Sequence, residues 1–180
     1  EPRLDKYEKI LDVGTGTGEA LHSIIDRFSK DTQVTAIDID KNYIKKATEL
    51  FKDQRNVRVR LQDFYDIAES KEKFDAIIFS SSFMLMPDRK RALDIAKSIL
   101  SPGGKIFFLM TLYAKKKKFV EKIKPYLKYY TTIDFGNITY EWEFEDLLTE
   151  NGLDIQHKER MLYKMTPLLY LFRVFLVECQ

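Results

Sequence analysis

Along this chain, apolar runs bounded by turn-forming residues alternate with stretches in which apolar positions recur every three or four residues. That rhythm predicts buried strands alternating with amphipathic helices. The first run, Ile10-Leu11-Asp12-Val13, leads straight into Gly14-Thr15-Gly16-Thr17-Gly18-Glu19, and Ala20, Leu21, Ile24, Ile25 and Phe28 then follow at the spacing of a first helix. Val34-Thr35-Ala36-Ile37 reads as a second strand ending in Asp38-Ile39-Asp40, with Asp40 placed to cap a helix carrying Ile44, Ala47 and Leu50. Residues 57–61 form a third strand ending in Gln62-Asp63-Phe64. The fourth, Phe74-Asp75-Ala76-Ile77-Ile78-Phe79, is apolar enough to be buried on both faces. A helix with Ala92, Leu93, Ile95, Ala96, Ile99 and Leu100 stops at Ser101-Pro102-Gly103-Gly104, before a fifth strand over residues 105–110.

Strands alternating with helices imply a doubly wound α/β fold, a mostly parallel sheet with right-handed crossovers and helices on both faces. Ligands then sit beyond the carboxyl ends of the strands. The last third breaks the rhythm. A basic helix over residues 115–129, a Tyr/Thr-rich loop to Tyr140 and a helix over residues 141–150 precede two strands, residues 153–162 and 170–179, with no helix between them. Such a pair is antiparallel, because parallel neighbours need a long crossover. No repeat or boundary interrupts residues 1–180, so a single domain is expected.

Composition narrows the class without naming a partner. Hydrophobic residues at 44% and charged residues at 32% mark a soluble globular chain. With 30 Lys+Arg against 28 Asp+Glu, the net charge of +2 exerts no global pull on nucleic acid. A single cysteine, Cys179, excludes an internal disulfide and suits a reducing, cytoplasmic setting; it reads as a small buried residue at a strand end. The most apolar stretch, residues 167–177, is too short to span a membrane and carries Arg173; residues 1–8 contain no signal peptide, and the chain opens on Glu1 rather than methionine, which leaves room for a segment upstream.

The chemistry begins at the glycines. A strand running into alternating glycines and then a helix is a nucleotide-binding turn, since glycine serves where the backbone turns tightly or a ligand lies against it. A dinucleotide fingerprint reads G-x-G-x-x-G. Here the spacing is G-x-G-x-G, and Glu19 stands where that pattern has glycine or alanine. An acidic side chain at a helix N-terminus repels a diphosphate, so the loop suits a ligand without phosphates.

On these residues the chain resembles the class I S-adenosylmethionine-dependent methyltransferases, whose first motif has the same shape, and the later motifs follow in order. The resemblance implies S-adenosylmethionine as cofactor, no metal, and a seven-stranded sheet ordered 3-2-1-4-5-7-6 with the last strand antiparallel. It covers about residues 9–110 as the cofactor half, and the terminal strand pair extends it. By that resemblance Asp12, Gly14, Thr15, Gly16 and Gly18 form the cofactor loop. Asp38 accepts the ribose hydroxyls, with helix capping as its plain alternative, and Ile39 packs on the adenine. Asp63 takes the adenine amino group with the Phe64 backbone facing the ring, and Ser80 lines the methionine end. Such enzymes often place a helix over the site before the first strand, and only residues 1–8 precede it here.

The acceptor side is less determined. Methyl transfer from a sulfonium is an in-line displacement, so the enzyme's task is alignment and exclusion of water, with a base added for hydroxyl or carbon acceptors. Neither His22 nor His157 stands out as that base. The Asn/Asp-Pro-Pro-aromatic motif of adenine and glutamine methylation is absent, and Ser80-Ser81-Ser82-Phe83-Met84-Leu85-Met86-Pro87 occupies its place, which argues against DNA base methylation. Ser81, Ser82 and Tyr113 are the substrate-side candidates. Residues 83–86 form either an apolar substrate wall or the start of a helix, and Lys115 to Lys118 either a solvated face or a site for an anionic substrate. The aromatic residues of 113–140, Tyr126, Tyr129 and Tyr130 among them, suggest a substrate lid. The expected function is methyl transfer to a small molecule, lipid headgroup or protein side chain. The alternative is a catalytically silent binding or scaffold subunit.

Overall fold

Seven strands build one sheet in the computed structural model, which describes residues 4–113, 139–161 and 174–180. They are β1 (Lys9–Val13), β2 (Gln33–Asp38), β3 (Val57–Leu61), β4 (Phe74–Ser80), β5 (Leu100–Thr111), β6 (Ile155–Met161) and β7 (Val174–Cys179). Their order is β3-β2-β1-β4-β5-β7-β6. The first five are parallel, and β7 lies antiparallel to both β5 and β6. Doubly wound class, strand order and reversed last strand are thus those expected.

The alternation of side chains along the central strands divides the core into two layers. On one face Phe79, Phe83, Phe108 and Phe144 form a ring cluster, with Phe79 and Phe108 stacked at 5.3 Å and Phe83 set edge-on to Phe108 at 4.9 Å. Helices α3 (Arg89–Ile99) and α4 (Glu141–Glu150) supply Leu93, Ile99, Phe144 and Leu148 to this face. On the other face Ile10, Ala36, Ile78 and Phe107 meet Leu21 of α1 (Glu19–His22) and Ala47 of α2 (Lys41–Leu50). Asp40 caps α2 as expected, accepting from the amides of Asn42 and Tyr43 at 2.7 and 3.2 Å.

Three details depart from the sequence reading. The first helix ends after one turn. Ser23 Oγ bonds back to Ala20 O at 2.7 Å, Ile24 leaves helical dihedrals, and residues Ile25–Arg27 form a 3-10 turn. The helical spacing had recorded burial of Leu21 and Phe28, which both geometries satisfy. Second, the Ser101–Gly104 turn is absorbed into β5, whose register jumps from Phe74↔Leu100 to Ala76↔Lys105. Third, β6 begins two residues later than expected. Residues 115–129, nearly all of the 113–140 segment, and residues 162 and 170–173 of the terminal strands lie outside the described residues. Cys179 is fully buried, and burial pushes its thiol up to about 12. Among the described residues no helix is long and apolar enough to cross a membrane.

Candidate functional site

At the carboxyl ends of β1, β2 and β4 the chain opens a cleft of about 440 Å³. That is within the roughly 300–1,000 Å³ typical of small-molecule sites. Its floor is the glycine loop. The amides of Gly14 and Thr15 both donate to Ile37 O, at 2.9 and 3.0 Å, tying the loop to β2. Gly14 has φ +71°, and a Cβ there would fall 2.4 Å from Ser82 Cβ. Gly16 is glycine for its φ of +59° alone. A Cβ there would meet no atom of the described residues within 4 Å, which leaves an open cradle along the cleft that Gly16 lines.

Asp38 holds that cradle in shape. Its Oδ2 accepts from Gly16 N and its Oδ1 from Asp40 N, both at 2.8 Å. Each carboxylate oxygen has a second acceptor direction, so Asp38 is able to bond a ligand while anchoring the loop. Ile39 beside it is 73% exposed and lines the same cleft, an apolar side chain largely open among the described residues. On the far rim Asp63 Oδ1 accepts from Tyr65 N at 2.9 Å, and Phe64 packs its ring edge-on to Phe79.

The serines at the end of β4 have different roles. Ser80 lines the cleft as a strand terminus. Ser81 also lines it and takes φ +60°, a conformation uncommon for a side-chain-bearing residue and frequent at functional sites. Ser82 is buried and its hydroxyl donates to Val13 O, so it acts on the glycine loop. Of the next four residues, Phe83 and Met84 are buried and Leu85 and Met86 line the cleft; Phe83–Leu85 form a separate 3-10 turn, so the stretch is not the start of α3, which begins at Arg89.

Gly14, Gly16, Asp38, Ile39, Asp63, Phe64, Ser80, Ser81 and Ser82 all reach the cleft. Asp12, Thr15, Gly18 and Tyr113 are not among the residues that line it. Gly18 caps α1. Tyr113 is buried in a bridge with Tyr140. His22 is exposed and His157 half-exposed, both away from the cleft. Sequence reasoning passed over Tyr43, Gln62 and Tyr65 as lining residues. For Tyr65 a signal was available, since an aspartate two positions before it favours an Asx turn that fixes its direction.

Asp12 lies beneath the loop, between Ala36 and Ile78 in the sheet and almost fully buried. Burial pushes its carboxyl up to about 6; the Asp38 carboxylate adds to the rise. Thr15 pulls it back, although its Oγ1 completes no well-formed hydrogen bond. The folded value exceeds the ordinary 3.8, so between pH 3.8 and about 6 the folded state takes up a proton that the unfolded chain does not. Stability is therefore lost as pH rises through that window. Asp12→Asn should flatten this part of the profile and raise stability at pH 7 by on the order of 2 kcal/mol. Melting temperatures of both proteins from pH 4 to 7 check this, and parallel profiles would show that Asp12 does not take up a proton on folding in this window.

Charge decides what the cleft takes. Among the described residues that line it are Asp38, Asp40 and Asp63, and no Lys or Arg. Such a lining disfavours a diphosphate and favours a ligand bearing positive charge. A family model described as a methyltransferase domain matches residues 4–164. The chain belongs to the class I S-adenosylmethionine-dependent methyltransferases. Their cofactor carries a sulfonium and an ammonium with no phosphate, and the Gly16 cradle, Asp38 and the exposed side chain of Ile39 fit it.

The chain is 28% identical over 138 residues to the ubiquinone/menaquinone biosynthesis C-methyltransferase UbiE of Wigglesworthia glossinidia brevipalpis, covering 73% of this chain and 53% of that one. It is 29% identical over 127 residues to malonyl-[acyl-carrier protein] O-methyltransferase 1 of Ilyobacter polytropus, covering 69% and 47%. A solved structure of a putative methyltransferase from Bacillus halodurans superposes with a TM-score of 0.74 at 14% identity, covering 98% of this chain and 93% of that one. The chain spans about half the length of the curated relatives it matches.

Proposed function

We propose that this chain transfers the methyl group of S-adenosylmethionine to a small acceptor with an apolar body. The observation that carries the reading is the junction, within one cleft, of the acidic, cradle-forming Gly14–Asp38 side with the apolar wall of Leu85, Met86 and Pro87. The bound cofactor supplies an already activated methyl carbon on a sulfonium. Asp38 and the Gly16 backbone hold and orient the nucleoside end, and Ile39 covers an aromatic face. The short side chains of Ser80 and Ser81 leave a path at the end of β4. Leu85, Met86 and Pro87 dry the acceptor and hold it in line, which is the main contribution such a displacement needs.

One relative is named a C-methyltransferase and another an O-methyltransferase. Kinship therefore does not choose the acceptor atom, and the wall of Leu85, Met86 and Pro87 is what supports an acceptor with an apolar body. The test is methylation of cell extract with labelled cofactor, followed by separation into lipid, protein, RNA and small-molecule fractions. Label in the small-molecule fraction is expected, and label confined to RNA or protein would overturn the reading.

A further inference from the structure

The wall is a short span fixed at both ends. At its start Phe83 and Met84 are buried, and Arg89 Nη2 donates to Met84 O at 2.9 Å. At its end Asp88 caps α3, accepting from Arg91 N at 2.9 Å. Both backbone groups of Asp88 bond to one side chain of the rim, and Asp88 O also accepts from Ala92 N at 3.0 Å. Tyr65 donates its hydroxyl hydrogen to Asp88 O at 2.7 Å and accepts from Asp88 N at 3.0 Å. The Arg91 guanidinium lies 5.1 Å over the same ring. The other end of Tyr65 belongs to the cofactor rim. Its amide is fixed by Asp63, it follows Phe64, and it lines the cleft itself.

One rigid side chain thus joins the cofactor rim to the acceptor wall, and its hydroxyl has spent one donor and one acceptor on a single residue. We propose that Tyr65 is a positioning residue that couples occupation of the cofactor rim to the shape of the Leu85–Met86–Pro87 wall. The proposal rests on the reading above that the two sides hold cofactor and acceptor. When residues 62–65 settle against a ligand, the ring carries Asp88 with them and sets the wall before an acceptor arrives.

Hydrogen–deuterium exchange of the full chain, with and without saturating S-adenosylhomocysteine, tests this without an identified acceptor. In the wild type the ligand should slow exchange of residues 13–18 and also of 83–88, the latter by about tenfold. Tyr65→Phe keeps the ring and removes both bonds to Asp88. At ligand concentrations that bring the slowing at 13–18 to its full extent in the variant, the slowing at 83–88 should fall to about twofold or less. Undiminished slowing at 83–88 in the variant would overturn the coupling, because direct contact with the ligand would then suffice. Slowing confined to 13–18 in the wild type would overturn it too, whatever the variant's stability. No slowing in either segment would overturn the cofactor reading and the coupling with it.

Discussion

Gly14→Ala should melt well below the wild type and bind no S-adenosylmethionine. The new methyl carbon would stand 2.4 Å from Ser82 Cβ, well inside van der Waals contact, at a backbone φ of +71°. Neither partner has room to yield. Ser82 is buried with its hydroxyl committed to Val13 O, and Gly14 N is held by Ile37 O. Overpacking and backbone strain together should cost about 2–4 kcal/mol, a fall in melting temperature of roughly 5–15 °C for a chain of this size. Gly16→Ala is the informative contrast, since its φ of +59° carries strain but its Cβ meets no atom of the described residues. It should cost about 1 kcal/mol in stability while weakening cofactor binding more than about tenfold, because the methyl enters the cradle. Adding Ser82→Gly to Gly14→Ala removes the atom in conflict and should restore part of the lost stability. Calorimetric melting of the single and double variants reads the interaction directly. Additive losses would mean that the two residues do not meet.

Asp38→Ala should abolish measurable cofactor binding while leaving the chain folded. The carboxylate has two duties that removal ends together. It accepts the amides of Gly16 and Asp40, and it lines the cleft, where the proposed function has it hold the nucleoside end of the cofactor. Charge-assisted bonds of this kind contribute about 1.5–3 kcal/mol each. Loss of both loop anchoring and ligand contact should therefore lower affinity by at least about a hundredfold. Part of the stability loss is offset, because the neighbouring Asp12 carboxyl no longer faces a second negative charge. Asp38→Asn keeps one acceptor oxygen and should fall between. Titration calorimetry with S-adenosylhomocysteine separates the three proteins, and equal affinities would show that the cradle does not depend on Asp38.

How legible the molecule is in its sequence depends on the range of the interaction. The sheet was readable because each parallel strand is an apolar run with a turn signal behind it, and because two terminal strands without a crossover have one way to pair. The glycine loop was readable because its geometry demands glycine. The one-turn α1 was not, since Leu21 and Phe28 are buried equally well by a helix or by a turn plus a 3-10 segment. The supporting role of Ser82 was hidden for a related reason. A serine after a strand looks like a cleft hydroxyl, and only the approach of Gly14 and Val13 O, 68 and 69 residues away in sequence, turns it into a support for the loop. Tyr65 escaped notice because its partner Asp88 lies 23 residues on, and only the crossing from β3 to β4 brings the two together.

Whether the cleft between the glycine loop and the end of β4 holds S-adenosylmethionine is decided by titration calorimetry of the full chain with that cofactor, run beside Asp38→Ala. One cofactor per chain for the wild type, with no heat above dilution for the variant, is the result predicted here. No binding by a wild type that melts cooperatively, or binding that Asp38→Ala leaves unchanged, would contradict it.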